Sequence, residues 1–362
     1  MKIIISGGGT GGHIFPAIAI AQAIQKQVPE AEILFVGALG KMEMEKIPAA
    51  GYPIEGLWIS GFSRRLNLDL LKFPFQLIAS WWKSRQILKR FKPDAVVGVG
   101  GYASGVLVKV AASWGIPALI HEQNSYAGAT NRLLSKSVQK ICVAYPLMER
   151  FFAPEKIVFT GNPIRRDITE IADNQHTAKN YYQLNPDKKT LLVVGGSLGS
   201  RTINDSLAAE LAALQQADIQ VLWQCGKLYY DEFRPIAATY PNVKLLAFID
   251  RMDLAYTAAD LVVSRAGALA LAELCTVKKP AILVPSPNVT DNHQTANAMV
   301  LVKKQAAVLI KDSDARQNLV KIALALIVDA PQLAQLAQNI ASLAVADAAS
   351  HIANELLKLI KK

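Results

Sequence analysis

A chain of 362 residues, 51% of them hydrophobic, is long enough for two domains of ordinary size and too apolar to be disordered. Its three cysteines, Cys142, Cys225 and Cys275, are far apart and form no C-x-x-C pair, which argues against a zinc site or disulfide framework and suits a reducing cytoplasm. The net charge of +10 is local: between Ser60 and Pro93, Arg64, Arg65, Lys72, Lys83, Arg85, Lys89, Arg90 and Lys92 face one acidic residue, Asp69. No signal peptide is expected ahead of the first strand, and no charge-free run approaches the roughly 18 apolar residues of a membrane span.

In chain order, an apolar strand at 2–6 enters the loop Gly7-Gly-Gly-Thr-Gly-Gly12, and an amphipathic helix is expected from Ile14 to Gln27, with Ile14, Ile18, Ala21 and Ile24 down one face. Such a loop offers backbone N–H groups and the positive end of a helix, a site suited to phosphate. Gly7-x-Gly9-x-x-Gly12 formally matches the dinucleotide fingerprint, but the second strand ends Phe35-Val36-Gly37-Ala38 without the carboxylate that would hold a ribose, which disfavours a dehydrogenase. Five glycines in six positions also exceed what a tight turn needs. His13, just after the loop, reads either as a helix cap or as a general base kept neutral by the helix N-terminus.

Further buried strands are expected at 32–37, 94–98, 117–120, 140–144 and 157–160, short and continuous as in a parallel sheet. Before the third, the segment 64–92 places Leu77, Trp81 and Leu88 on one helical face, with Phe75, Ile78 and Trp82 to the side and Arg85 and Lys89 among them. That broad apolar arc beside cations fits a surface that dips into an anionic membrane; a buried helix with a basic rim is the plainer reading, and nucleic acid is not expected. Gly98–Gly105 forms a second glycine turn, and His121-Glu-Gln-Asn124 puts four polar residues at a strand end, where doubly wound sheets bind ligands or simply expose satisfied polar groups. Gly161-Asn-Pro-Ile-Arg-Arg166 is the natural linker.

The second half repeats the scheme, with strands expected at 190–194, 219–224, 243–248, 260–264, 280–284 and 305–309 and a glycine turn, Gly195-Gly-Ser-Leu-Gly-Ser200, after the first. Ser264–Glu273 runs from strand into helix, and the polar loop Pro285–Asn297 suits a sugar, because amides both donate and accept. Six strands per half predict an α/β protein with two Rossmann-like, doubly wound parallel-sheet domains facing a central cleft, spanning 1–162 and 163–349. The final helix, 350–362, could pack on either.

The ordered set Gly7–His13, Gly98–Gly105, His121–Asn124, Gly161–Arg165, Gly195–Ser200, Ser264–Glu273 and Asp291–Asn297 closely resembles the MurG family, bacterial transferases of glycosyltransferase family 28 with the GT-B fold. The resemblance implies inverting transfer of N-acetylglucosamine from UDP-N-acetylglucosamine to the C4 hydroxyl of the muramoyl sugar in lipid I, giving lipid II for peptidoglycan. It implies a donor site made of Thr10, Gly11, Gly12, Asn124, Arg165, Ser197, Ile249, the helix start Ala268-Leu269-Ala270-Leu271-Ala272, Glu273 on the ribose and Gln294 on the sugar. Ala266 and Ala270 stand where some relatives carry hydroxyls, which puts hydroxyl contacts to phosphate there in doubt. His13 is the expected base, Gly100, Gly101, Tyr102 and Ser104 the expected cradle for the acceptor diphosphate, and Leu77, Trp81, Trp82, Arg85 and Lys89 the membrane patch of a peripheral enzyme on the cytoplasmic face of the plasma membrane. No Asp-x-Asp metal motif is read at the cleft, and neither metal nor cofactor is expected. The alternatives are a UDP-N-acetylglucosamine 2-epimerase of the same architecture and a membrane-bound nucleotide-sugar sensor without turnover.

Overall fold

The computed structural model describes residues 1–60, 68–169, 174–289 and 292–360. The chain divides into two compact units, Met1–Arg165 with Ala346–Lys362, and Arg166–Val345.

The first unit runs β1 (Lys2–Ser6), α1 (Gly11–Gln27), β2 (Glu32–Ala38), α2 (Glu43–Ala49), β3 (Ile54–Leu57), α3 (Leu68–Phe91), β4 (Ala95–Gly98), α4 (Tyr102–Ser113), β5 (Ala118–Glu122), α5 (Ala129–Leu134), β6 (Lys140–Val143) and β7 (Ile157–Phe159). All seven strands are parallel, in the order β3-β2-β1-β4-β5-β6-β7. Side chains alternate across the sheet. Ile4 packs with Val36, Val96, Leu107 and Val110 on one face, while Ile3 and Ile5 pack with Ile14, Ile20 and Ile24 of α1 on the other. Burial on both faces is why these strands read as unbroken apolar runs. β3 was not among the six expected strands. It is a four-residue edge strand carrying Glu55 and Gly56, only partly buried, so it leaves little hydrophobic signal.

The second unit runs α6 (Arg166–Thr169), α7 (Gln175–Tyr181), β8 (Thr190–Val194), α8 (Arg201–Ala208), α9 (Leu211–Gln216), β9 (Gln220–Gln224), α10 (Tyr230–Ala237), β10 (Val243–Leu246), α11 (Met252–Ala258), β11 (Leu261–Ser264), α12 (Ala268–Thr276), β12 (Ala281–Leu283), α13 (His293–Val302), β13 (Val308–Leu309), α14 (Ala315–Val328) and α15 (Ala330–Ala341). Its six parallel strands are ordered β10-β9-β8-β11-β12-β13. Trp223 lies fully buried in its core and donates to Asn204 Oδ1 at 3.0 Å. The last helix, α16 (Ala348–Ile360), returns to the first unit, where Ile352, Ala353 and Leu356 are buried beside α1.

In each sheet the winding direction reverses once, between β1 and β4 and between β8 and β11. Loops at the carboxyl ends of those strands part to either side and leave a crevice, the usual ligand position in open α/β sheets. The glycine loops after β1, β4 and β8 and the turn before α12 all lie there.

Candidate functional site

In the first unit the loops after β1 and β4 touch backbone to backbone, and glycine is what permits it. A Cβ on Gly101 would lie 2.7 Å from the Gly8 oxygen, and one on Gly100 would lie 2.8 Å from the His13 ring. Both glycines have positive φ, so a side chain there would be strained as well as crowded. His13 therefore lies over Gly100, and the structure brings the expected base and the Gly100–Gly101 turn together. Its Nδ1 is 2.9 Å from the Gly8 oxygen and 3.5 Å from Thr10 Oγ1. A carbonyl only accepts, so the neutral ring carries its hydrogen on Nδ1 and its lone pair on Nε2. The N–H groups of Gly11 and Gly12, at the start of α1, have no acceptor within the helix. Thr10 is the N-cap residue, and its side chain makes no capping bond.

Tyr102 is exposed at the start of α4, but Ser104 departs from expectation. It is completely buried, with its Oγ in the space a Gly98 side chain would need and no hydrogen-bond partner. Facing into the core, that side chain cannot cradle a diphosphate. The run His121–Asn124 also differs from a ligand-facing edge. His121, Glu122 and Gln123 are buried and bonded internally: His121 to the Gly161 oxygen at 3.0 Å, Gln123 to the Val99 oxygen at 2.9 Å, and Glu122 to Gly128 N at 2.9 Å and Asn131 Nδ2 at 2.8 Å. Burial pushes the His121 imidazole down to about 4. Only Asn124 is partly open. Arg165, at the end of this unit's first segment, lays its guanidinium over the Phe15 ring at 5.8 Å.

Glu43 is a residue the sequence reading passed over. It does bring a carboxylate to the end of β2, accepting from Ala38 N at 3.0 Å, but its second oxygen is taken by Gly9 N at 2.9 Å, so it braces the loop and holds no ribose.

In the second unit, the Gly195–Ser200 turn is closed by Gly199 N to the Gly196 oxygen at 2.9 Å, and a Cβ on Gly199 would fall 2.0 Å from the Cys225 oxygen. Ser197 is exposed on this turn, and the side chain of Ile249 is buried. α12 begins after Gly267, around whose Cα nothing would meet an added Cβ. Leu271 N already bonds the Gly267 oxygen, so N–H groups without an acceptor inside the helix are confined to its first turn and do not, as expected, run along the whole of Ala268–Ala272. Tyr256 donates to Glu273 Oε2 at 3.0 Å and fixes that half-buried carboxylate. Gln294, near the start of α13, accepts Ser286 N at 2.8 Å, which leaves its amide NH2 as the part that can meet a sugar hydroxyl. Thr290 and Asp291 lie outside the described residues.

Arg265 ties these loops together and was also missed. It donates to Ser200 Oγ at 2.6 Å, to the Val284 and Pro285 oxygens at 3.0 and 3.2 Å, and pairs with Asp312. Asp312-Ser-Asp314 is an Asp-x-Asp sequence, but Asp312 is engaged by Arg265 and by Thr202 Oγ1 at 2.9 Å. Among the described residues no group of three or more His, Cys, Asp or Glu could hold a metal ion.

Helix α3 turns the usual pattern inside out. Its buried face carries Gln76, Ser80, Ser84, Ile87 and Leu88, whereas Phe75, Leu77, Ile78, Trp81 and Trp82 are exposed, Trp82 by 62%. Leu88 thus belongs to the core and not to the expected patch. Arg85 stacks over Trp114 at 5.0 Å, Lys89 is exposed, and Lys83 and Arg90 pair with Glu55. Arg64 and Arg65 lie outside the described residues.

Two parallel-sheet units with glycine loops at their switch points form the architecture of GT-B glycosyltransferases, and the family models place the chain in that class. The family 28 N-terminal domain model matches residues 3–143 and the family 28 C-terminal domain model residues 190–352. Proteins from Parabacteroides distasonis and Cytophaga hutchinsonii, each named UDP-N-acetylglucosamine–N-acetylmuramyl-(pentapeptide) pyrophosphoryl-undecaprenol N-acetylglucosamine transferase, are 53% identical to it; the alignments cover 100% and 99% of this chain and 99% and 97% of theirs. The crystal structure of Acinetobacter baumannii MurG superimposes with a TM-score of 0.78 at 30% identity, over 99% of both chains. A Listeria monocytogenes structure carrying the provisional name UDP-N-acetylglucosamine 2-epimerase matches with a TM-score of 0.71 over 99% of this chain and 95% of its own, but at 14% identity it shares the fold alone. The chain belongs to the MurG family of glycosyltransferases.

Proposed function

We infer that this chain transfers N-acetylglucosamine from UDP-N-acetylglucosamine to lipid I, forming lipid II, and that its two units divide the work. Full-length identity of 53% to transferases so named carries the activity. The second unit takes the donor: Glu273, held by Tyr256, bonds the ribose hydroxyls, Ile249 meets uracil through its backbone, and Gln294 addresses the sugar. The first-turn N–H groups of α12 and the helix dipole receive the charge that grows on the departing diphosphate, with Ser197 and Arg165 proposed beside it. Thr10, Gly11, Gly12 and Asn124, which the family resemblance also assigns to the donor, belong to the first unit.

The first unit takes the acceptor and supplies the base. His13 Nε2 accepts the proton of the C4 hydroxyl as that oxygen bonds the anomeric carbon; the bond to UDP breaks, and its electron pair leaves with the nucleotide. One displacement inverts the α-linked donor to a β-linked product. The geometry that supports this role is the Nδ1 bond to the Gly8 oxygen, which leaves the lone pair on Nε2. The Gly100–Gly101 turn and the first turn of α4, with Tyr102, are proposed to cradle the acceptor diphosphate through backbone N–H groups.

The exposed apolar face of α3, with Arg85 and Lys89, is proposed to seat the enzyme on an anionic membrane surface, where a polyprenyl-linked acceptor resides. Among the described residues no single helix is long and apolar enough to cross a membrane, and a surface contact does not need one. UDP release that appears only when lipid I is added tests the function. Conversion of UDP-N-acetylglucosamine to its manno epimer without acceptor would instead make the chain an epimerase.

A further inference from the structure

Glu43, the first residue of α2, is completely buried under the glycine loop, where an acidic side chain needs dedicated partners. It has them: Oε2 accepts Gly9 N–H at 2.9 Å and Oε1 accepts Ala38 N–H at 3.0 Å. Two glycines make room for it, since a Cβ on Gly8 would lie 2.0 Å from Oε1 and one on Gly37 2.5 Å from Cγ. The Gly9 N–H belongs to the same peptide group as the Gly8 carbonyl, and that carbonyl accepts Nδ1–H of His13 at 2.9 Å. In a trans peptide the N–H and C=O point opposite ways. Glu43 and His13 therefore hold the two edges of one peptide plane.

We propose that Glu43 is a positioning residue for sugar transfer, acting on His13 through the Gly8–Gly9 peptide; the proposal rests on the reading of His13 as the base. An acidic acceptor on the N–H polarises the peptide and makes the Gly8 oxygen a stronger acceptor. That keeps the His13 hydrogen on Nδ1, keeps the lone pair on Nε2, and steadies the imidazolium formed when Nε2 takes the acceptor proton. No proton passes along the chain: Nδ1 keeps its hydrogen throughout, and Glu43 remains an acceptor. A peptide here takes the place of the direct carboxylate–imidazole bond of hydrolase triads. His121, within electrostatic reach of His13, is held neutral by its burial.

Glu43→Gln keeps the side chain's size but turns an NH2 group toward one of the two N–H donors. The expected result is a kcat lowered about tenfold, a KM for UDP-N-acetylglucosamine within about twofold, and no further loss when the change is added to His13→Ala. The same loss in both backgrounds would overturn the proposal and leave His13 as base. Unaltered turnover in His13→Ala alone would overturn the base reading and this proposal with it. Should Glu43→Gln not fold, ring 15N spectra of the wild-type enzyme decide: a hydrogen on Nδ1 of His13 supports the proposal, and one on Nε2 overturns it.

Discussion

Arg265 braces several loops of the second unit, and its loss should destabilise that unit. Arg265→Met preserves bulk but removes the bonds to Ser200, Val284 and Pro285 and leaves Asp312 without its cation. The two side chains are 13% and 19% exposed, so the pair is largely withdrawn from water. Removing one member of such a pair costs about 3–5 kcal/mol, and the residual exposure argues for the lower end. In a unit of this size about 3 kcal/mol lowers the unfolding midpoint by roughly 6–12 °C. Trp223 reports it: among the five tryptophans it alone lies in the second unit, fully buried, whereas Trp58, Trp81, Trp82 and Trp114 are well exposed in the first. The red shift of a buried indole in urea therefore follows the second unit. Asp312→Asn added to Arg265→Met removes the stranded charge and should recover at least about 1 kcal/mol. The loops Arg265 joins also border the proposed donor site, so the KM for UDP-N-acetylglucosamine should rise about tenfold. A destabilisation below about 1 kcal/mol, or strictly additive single and double variants, would refute the bracing role.

His13→Ala should cut turnover by about 100-fold or more with donor affinity little changed; near-normal turnover removes His13 from the chemistry. Replacing Trp81 and Trp82 with Ser should weaken binding to anionic vesicles by roughly tenfold or more, because both indoles are exposed, and should spare activity on a soluble acceptor analogue. Unchanged vesicle binding excludes the patch. Buried His121, held at about 4 against an ordinary 6.5, sets a pH dependence. As pH falls below 6.5 the unfolded chain takes up a proton that the folded chain refuses, so this contribution is intact above that pH and declines toward 4, by up to about 3 kcal/mol. Urea unfolding across that window should show a flatter profile for His121→Gln than for wild type; parallel profiles would contradict the assignment.

The parts of this protein that are legible in sequence are those whose signal is local. Buried parallel strands announce themselves as apolar runs, and the loops at Gly7–Gly12 and Gly195–Ser200 do so through glycines that positive φ and close backbone approach demand. β3, with Glu55 and Gly56 in four residues at a sheet edge, carries no such signal. Partnership across distance is equally silent. Glu43 meets Gly9 34 positions away, and Arg265 meets Asp312 47 positions away, so neither spacing follows from periodicity. A faint hint existed in Gly37, an interior strand glycine that makes room for Glu43. In α3 the periodicity was visible but its sense was not, because small serines face the core and tryptophans face outward. Ser104 and His121–Gln123 read as ligand groups because sequence cannot tell a polar residue bonded inside from one turned to a crevice.

The account stands most directly on where the nucleotide binds. A crystal structure of the enzyme with UDP-N-acetylglucosamine should place uridine against the second unit, with the ribose hydroxyls on Glu273 and the diphosphate over the first turn of α12. Uridine lodged instead in the glycine loop after β1 would contradict the division of labour between the two units.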